Sequence, residues 1–156
     1  MKPIGIIHSP FNRLEEMPIQ PKGAAGIEGV VEVDACYAEG LKDLDGFSHI
    51  YLIYQFHMVK RTALSVVPFM DTVERGVFST RSPLRPNHIG ISIVELVRVE
   101  KNTVVISGVD VLDQTPLLDI KPYIDRFDAV KNPRSGWMRG TQADVDEKRS
   151  DDRFVD

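Results

Sequence analysis

Two arginines stand four residues apart in Gly76-Val77-Phe78-Ser79-Thr80-Arg81-Ser82-Pro83-Leu84-Arg85-Pro86-Asn87-His88-Ile89-Gly90-Ile91-Ser92. A guanidinium is a planar fork of donors that meets a carboxylate or phosphate through two bonds at once. Pro83 and Pro86 fix φ and lower the entropy of the open chain. The stretch therefore predicts a stiffened ligand loop; the competing reading is an ordinary Pro-rich turn between strands. A second polar cluster, Asp110-Val111-Leu112-Asp113, leads into Thr115-Pro116 where an apolar run ends. Ionised carboxylates there suit ribose hydroxyls or an ammonium group, unless Asp113 only caps the turn over Thr115. Pro18-Ile19-Gln20-Pro21 is the third cluster. His57 closes an apolar segment, placed to orient a ligand or carry a proton, or to serve the strand structurally.

Other chemistries lack their residues. His8, His49, His57 and His88 show no metal-ligand spacing, and Cys36 is the only cysteine, so no metal centre and no thiolate zinc cluster is expected. No serine sits in a nucleophile elbow and nothing resembles a P-loop. Glycines 23, 26 and 29 lack the spacing and following helix of a dinucleotide fingerprint.

The elements that must position these groups read as strands. Ile4 to Ile7 is a short apolar run ended by His8-Ser9-Pro10, and Phe11 to Gly29 is a long irregular connection of the functional or mobile kind. Val30 to Val33 is extended, and Tyr37 to Leu44 has room for one or two helical turns closed by Gly46. Ser48 to His57, β-branched and aromatic on both faces, predicts a central strand. Val66 to Phe69 is a poorer strand broken by Pro68. Ile89 to Val99 and Thr103 to Val111 flank a hairpin turn at Glu100-Lys101-Asn102. Leu117 to Tyr123 is short and extended, and Arg134 to Trp137 is a candidate edge segment. Strands without alternating long helices predict a mainly β fold, a small antiparallel β-barrel with short helices and loops.

Length and composition fit that architecture. The 156 residues are 42% hydrophobic and 27% charged, the balance of one globular domain with a buried core. We expect the barrel domain over 1–140 and an acidic C-terminal tail over 141–156, helical or disordered. No apolar run is long enough to span a membrane, the N-terminus lacks a signal-peptide core, and the single cysteine suggests a reducing, cytoplasmic location. The net charge of −4 argues against a generally basic nucleic-acid binder, while the acidic tail leaves the body near neutral and a local basic patch open.

Four ordered blocks carry a resemblance. The Gly76–Ser92 stretch, Phe47-Ser48-His49-Ile50-Tyr51, His8-Ser9-Pro10-Phe11, and Asp110-Val111-Leu112-Asp113-Gln114-Thr115-Pro116-Leu117-Leu118-Asp119-Ile120-Lys121-Pro122-Tyr123 resemble the TsaA/TrmO family, covering about Ile4 to Tyr123. The resemblance implies an S-adenosylmethionine-dependent methyltransferase with a β-barrel fold, homodimeric, with cofactor near the subunit interface. It implies methylation of N6 of threonylcarbamoyladenosine beside the anticodon of certain tRNAs. It places the cofactor against Pro18, Ile19, Gln20, His57, Met58, Arg81, Ile91, Asp110, Val111, Leu112 and Asp113. Arg85, Asn87, Lys121 and Tyr123 are expected at the substrate surface. The acceptor nitrogen must lose a proton, for which Asp113, His57 and Tyr123 are candidates. The alternatives are methylation of another RNA or a small molecule, and a non-catalytic module that only binds S-adenosylmethionine.

Overall fold

The computed structural model describes residues 1–19 and 21–138; Gln20 and the acidic segment 141–156 lie outside the described residues. Eight strands follow in chain order, β1 (Gly5–His8), β2 (Glu28–Val33), β3 (His49–Gln55), β4 (Ser65–Val66), β5 (Arg75–Gly76), β6 (Ile89–Glu100), β7 (Thr103–Ser107) and β8 (Thr115–Pro122). Six of them close a barrel in the order β1-β2-β7-β6-β3-β8, and β4 pairs only with β5. Every barrel pairing is antiparallel. Closure leaves no free strand edge in the barrel, which is how small antiparallel folds avoid pairing with other chains.

Alternation along the strands builds the core. In β3, Ile50, Leu52 and Tyr54 point inward and are buried; in β6, Gly90, Ser92, Val94 and Leu96 do the same. With Ile7, Val31, Val33, Val104, Ile106 and Leu117, the apolar members of these two sets form one cluster. Burial of each such side chain contributes roughly 1.5–3 kcal/mol. β6 is long because it serves two partners, pairing with β3 over Ile89–Glu95 and with β7 from Glu95 to Glu100. A register shift between Leu96 and Arg98 bends the strand where it changes partner.

Several expectations need correcting. β3 is flanked on both sides, as a central strand should be, but a barrel has only one inside, so Tyr51 and Ile53 remain half-buried on the outer face. The strand expected over Thr103–Val111 ends at Ser107 because Gly108 turns at φ +90°, a conformation that glycine adopts without a Cβ penalty. Residues 109–111 therefore belong to a loop. The segment after Pro116 is longer than its two prolines suggest, since β8 runs for eight residues between β1 and β3. Arg134 to Trp137 forms a turn and no edge strand. The helical turns are 3-10, over Ala35–Leu41 and Leu44–Gly46.

Outside the barrel, the β4–β5 hairpin supports the Arg81 loop. Leu84, 1% exposed, packs with Val66, Val59, Ala63 and Phe69 in a small second core. Two backbone bonds lace the layers, Ala63 N–H to Leu84 O (3.0 Å) and Val77 N–H to Leu64 O (2.9 Å). Among the described residues no helix is long and apolar enough to cross a membrane.

Candidate functional site

The strand alternation of β6 sends one polar side chain, Ser92, into the barrel interior. A buried hydroxyl without partners costs about 1–3 kcal/mol, and Ser92 has two. It donates to Asp110 Oδ1 at 2.6 Å, and its oxygen lies 3.0 Å from the Tyr54 hydroxyl. Tyr54 on β3 is paired with Gly90 on β6, and a Cβ at Gly90 would run into the Tyr54 and Phe56 rings. Glycine in this motif therefore makes room for an aromatic ring. Asp110 reaches Ser92 from the loop that Gly108 opens.

Burial pushes the Asp110 carboxyl up to about 7, even though the Ser92 hydrogen bond and the positive charge of Arg81 both pull it down. Burial likewise raises the Tyr54 hydroxyl, with the nearby Asp110 charge adding to the effect. Near neutrality this carboxyl is poised between its two forms, a property that clusters at functional sites.

Above these groups lies a cavity of about 240 Å³. Pro18 and Ile19 from the first irregular connection line it, as do His57 and Met58 after β3, Ile91 on β6, and Asp110, Val111 and Leu112. Arg81 and Arg85 enter from the stiffened loop. Five separate stretches of chain thus deliver nine of the eleven residues expected to hold cofactor to one space. Partial burial lowers the His57 pKa, so its imidazole is neutral near pH 7 and able to accept a proton.

The hydroxyls of the Arg81 loop are spent on the loop itself. Ser79 Oγ donates to Gly76 O (2.8 Å) and Thr80 Oγ1 to Val77 O (2.9 Å). Ser82 N–H and Leu84 N–H are bonded to the hydroxyls of Thr80 and Ser82 at 3.2 and 3.3 Å. Arg85 Nη1 reaches Thr80 O (3.0 Å) and Ser82 O (3.3 Å). His88, in the left-handed region at φ 49°, places Nδ1 3.0 Å from Pro83 O and closes the turn into β6. The loop is thus ordered by its own donors, with Arg81 on the cavity side.

Four sequence-singled residues fall elsewhere. Asp113 does not line the cavity; its Oδ1 accepts from Ser9 N–H at 3.1 Å and lies 3.5 Å from His8 Nδ1. Burial alone would raise its carboxyl, but the Gln114 and Ser9 hydrogen bonds and His8 outweigh it and hold the pKa below the usual range. It braces β1 against the 110–113 loop instead of capping Thr115, whose hydroxyl donates to Leu112 O. Lys121 pairs with Asp119 at 2.9 Å on the outer surface. Tyr123 packs against Tyr51, ring centres 5.8 Å apart, and Asn87 is exposed beyond the cavity lining. Sequence reasoning passed over Tyr54, Phe56, Thr80 and Gly90, which line the cavity, and Ser92 beneath it. Tyr54 reads as one more core residue until Gly90 is set opposite it.

Fold and site together define a closed six-stranded antiparallel barrel carrying a loop-built ligand cavity lined by one buried carboxyl and two guanidinium groups. The tRNA-methyltransferase O N-terminal domain matches residues 6–129, and the chain belongs to this family, the TrmO family of methyltransferases. A probable S-adenosyl-L-methionine-binding protein of Pyrococcus abyssi is 52% identical over 98% of this chain and 83% of its own. The human tRNA (adenine(37)-N6)-methyltransferase is 33% identical over 84% of this chain, which is 31% of that protein. The crystal structure of TrmO from Pseudomonas aeruginosa superposes with a TM-score of 0.71 at 38% identity, covering 86% of this chain and 60% of that one. The chain thus spans less than two thirds of each of these two proteins.

Proposed function

We propose that this chain is an S-adenosylmethionine-dependent methyltransferase that methylates N6 of threonylcarbamoyladenosine next to the tRNA anticodon. The observation that carries the reading is the convergence of Arg81 and Asp110 on one mostly apolar cavity. The donor set fits the cofactor. A guanidinium answers its carboxylate, a carboxyl that can ionise answers its ammonium or ribose hydroxyls, and Pro18, Ile19, Ile91 and Leu112 form an apolar wall for its adenine. When bound, S-adenosylmethionine supplies a methyl group activated on a sulfonium. The chain's own residues orient it, exclude water and take up the proton that the acceptor nitrogen gives up. Alignment of this kind supplies up to roughly 7–11 kcal/mol of a displacement barrier.

Of the three proton-acceptor candidates, we assign His57, which lines the cavity as a neutral imidazole, whereas Asp113 and Tyr123 do not line it. We also propose a homodimer. Support comes from the outer face of β6, where Ile91, Ile93 and Val97 are 49%, 42% and 43% exposed around a single carboxylate, Glu95. The first of these, Ile91, also lines the cavity, so a second copy seated on this face would sit beside the cofactor.

The test is methyl transfer from labelled S-adenosylmethionine to tRNA bearing threonylcarbamoyladenosine, with unmodified tRNA as control. Label confined to the modified adenosine is the expected result. Cofactor binding without transfer to either tRNA would move the function to another acceptor.

A further inference from the structure

Beside the cofactor cavity runs a larger groove of about 930 Å³. The two share Ile19, Phe69, Thr80, Arg81 and Pro83 in their linings, so they meet at Arg81. One wall of the groove is aromatic. Phe78 is 73% exposed, an unfavourable contact of apolar surface with water, and Trp137 stands on the same groove. Each ring carries a guanidinium, Arg85 at 5.9 Å from the Phe78 centroid and Arg75 at 5.5 Å from that of Trp137, within the range of cation–π attraction.

The wall is held in place from outside the barrel. Trp137 Nε1–H donates to Ser79 O at 2.8 Å, fastening the chain beyond the matched family domain to the Arg81 loop. Arg75 is in turn paired with Asp71 at 2.7 Å. The bonds of Arg85 go to backbone carbonyls, so they leave its charge uncancelled. Among the described lining residues Glu95 is the only carboxylate, in a chain that is acidic as a whole.

We propose that this groove binds unpaired nucleotides of a single-stranded RNA segment, with a base stacked on Phe78 and the next against Trp137, so that the neighbouring base is delivered past Arg81 into the methyl-transfer cavity. The inference rests on the methyltransferase reading above and names the surface by which that site takes its acceptor. Open aromatic faces with flanking guanidinium groups are the chemistry that recognises unstacked bases. Phosphate charge suits a groove lined by Arg81, with Arg85 held over the Phe78 ring beside it, in a net acidic protein. A base must leave its stack to reach a reacting centre, and a groove continuous with the cavity gives it a path.

Trp137 is the only tryptophan in the chain, so its fluorescence reports on the groove directly. The experiment titrates the full chain with a single-stranded RNA heptamer centred on unmodified adenosine, with the same sequence as a duplex for control. Saturable quenching by the single strand and little by the duplex is expected. Phe78→Ala should weaken that binding and raise the KM for substrate RNA roughly tenfold, with S-adenosylmethionine affinity by calorimetry unchanged. Unaltered RNA binding and KM in Phe78→Ala, while wild type still transfers methyl, would overturn the groove and leave the methyltransferase reading standing. A shift of Phe78→Ala from dimer to monomer in light scattering would also overturn it, because the wall would then be a subunit interface.

Discussion

Asp110 is 9% exposed and hydrogen-bonded to a serine that is itself buried, so its protonation state is coupled to the stability of the whole barrel. Its carboxyl is raised from 3.8 to about 7 in the folded chain. The folded state therefore holds this proton more tightly than the unfolded state. The stabilisation is fully present below pH 3.8 and is lost as pH rises through 7. The full excursion is on the order of 4 kcal/mol. Urea unfolding at pH 5 and pH 8 checks this. Asp110→Asn, which keeps an acceptor for Ser92 but cannot ionise, should lose much of the wild-type decline between those pH values. An identical decline in both proteins would remove Asp110 as its source. The chain turns at Gly108, φ +90°, two residues before Asp110 meets Ser92.

At the scale of the element, β3 and β6 are a matched pair in which a ring on one strand needs an empty position on the other. Gly90→Ala puts a methyl group into the Tyr54 and Phe56 rings, and overpacking of this kind costs about 1–3 kcal/mol. The displaced ring also leaves the Ser92 hydroxyl it contacts at 3.0 Å. We expect a lower denaturant midpoint for Gly90→Ala, with a smaller loss, near 1 kcal/mol, for Tyr54→Phe, which removes only the hydrogen bond. Equal effects would mean that the ring's position does not matter. Patterning made β3, β6 and the Gly76–Ser92 loop legible in the sequence, because alternation and proline are local signals. The end of β7 at Ser107 was not legible. Val109 and Val111 continue the apolar pattern through the break, and they are buried by the loop folding over the barrel and not by a strand ladder.

At the scale of the whole molecule, the outer residues Ile91, Ile93 and Val97 are exposed apolar surface that starts at the cavity, passes the edge of the groove and ends at Val97, which lines neither. Light scattering at micromolar concentration should return twice the 17.6 kDa chain mass, and Ile93→Lys should shift it toward the monomer, because an unpaired charge in a buried interface is strongly unfavourable. A monomeric wild type with S-adenosylmethionine present would sink the dimer.

What the sequence determined by itself was the strand framework and the residue types of the site. Period-two burial and the ordered motif blocks are written in nearest neighbours, and so Arg81, Asp110, His57 and Pro18 were each singled out. Which of them share a space was decided only by the tertiary structure. Barrel closure sets β3 beside both β6 and β8, bringing residues 18, 57, 81 and 110 to one cavity while leaving Lys121 and Tyr123 on the outer face. Proximity across such sequence distances depends on strand order and register. Those are properties of the closed sheet, and no short stretch of chain contains them.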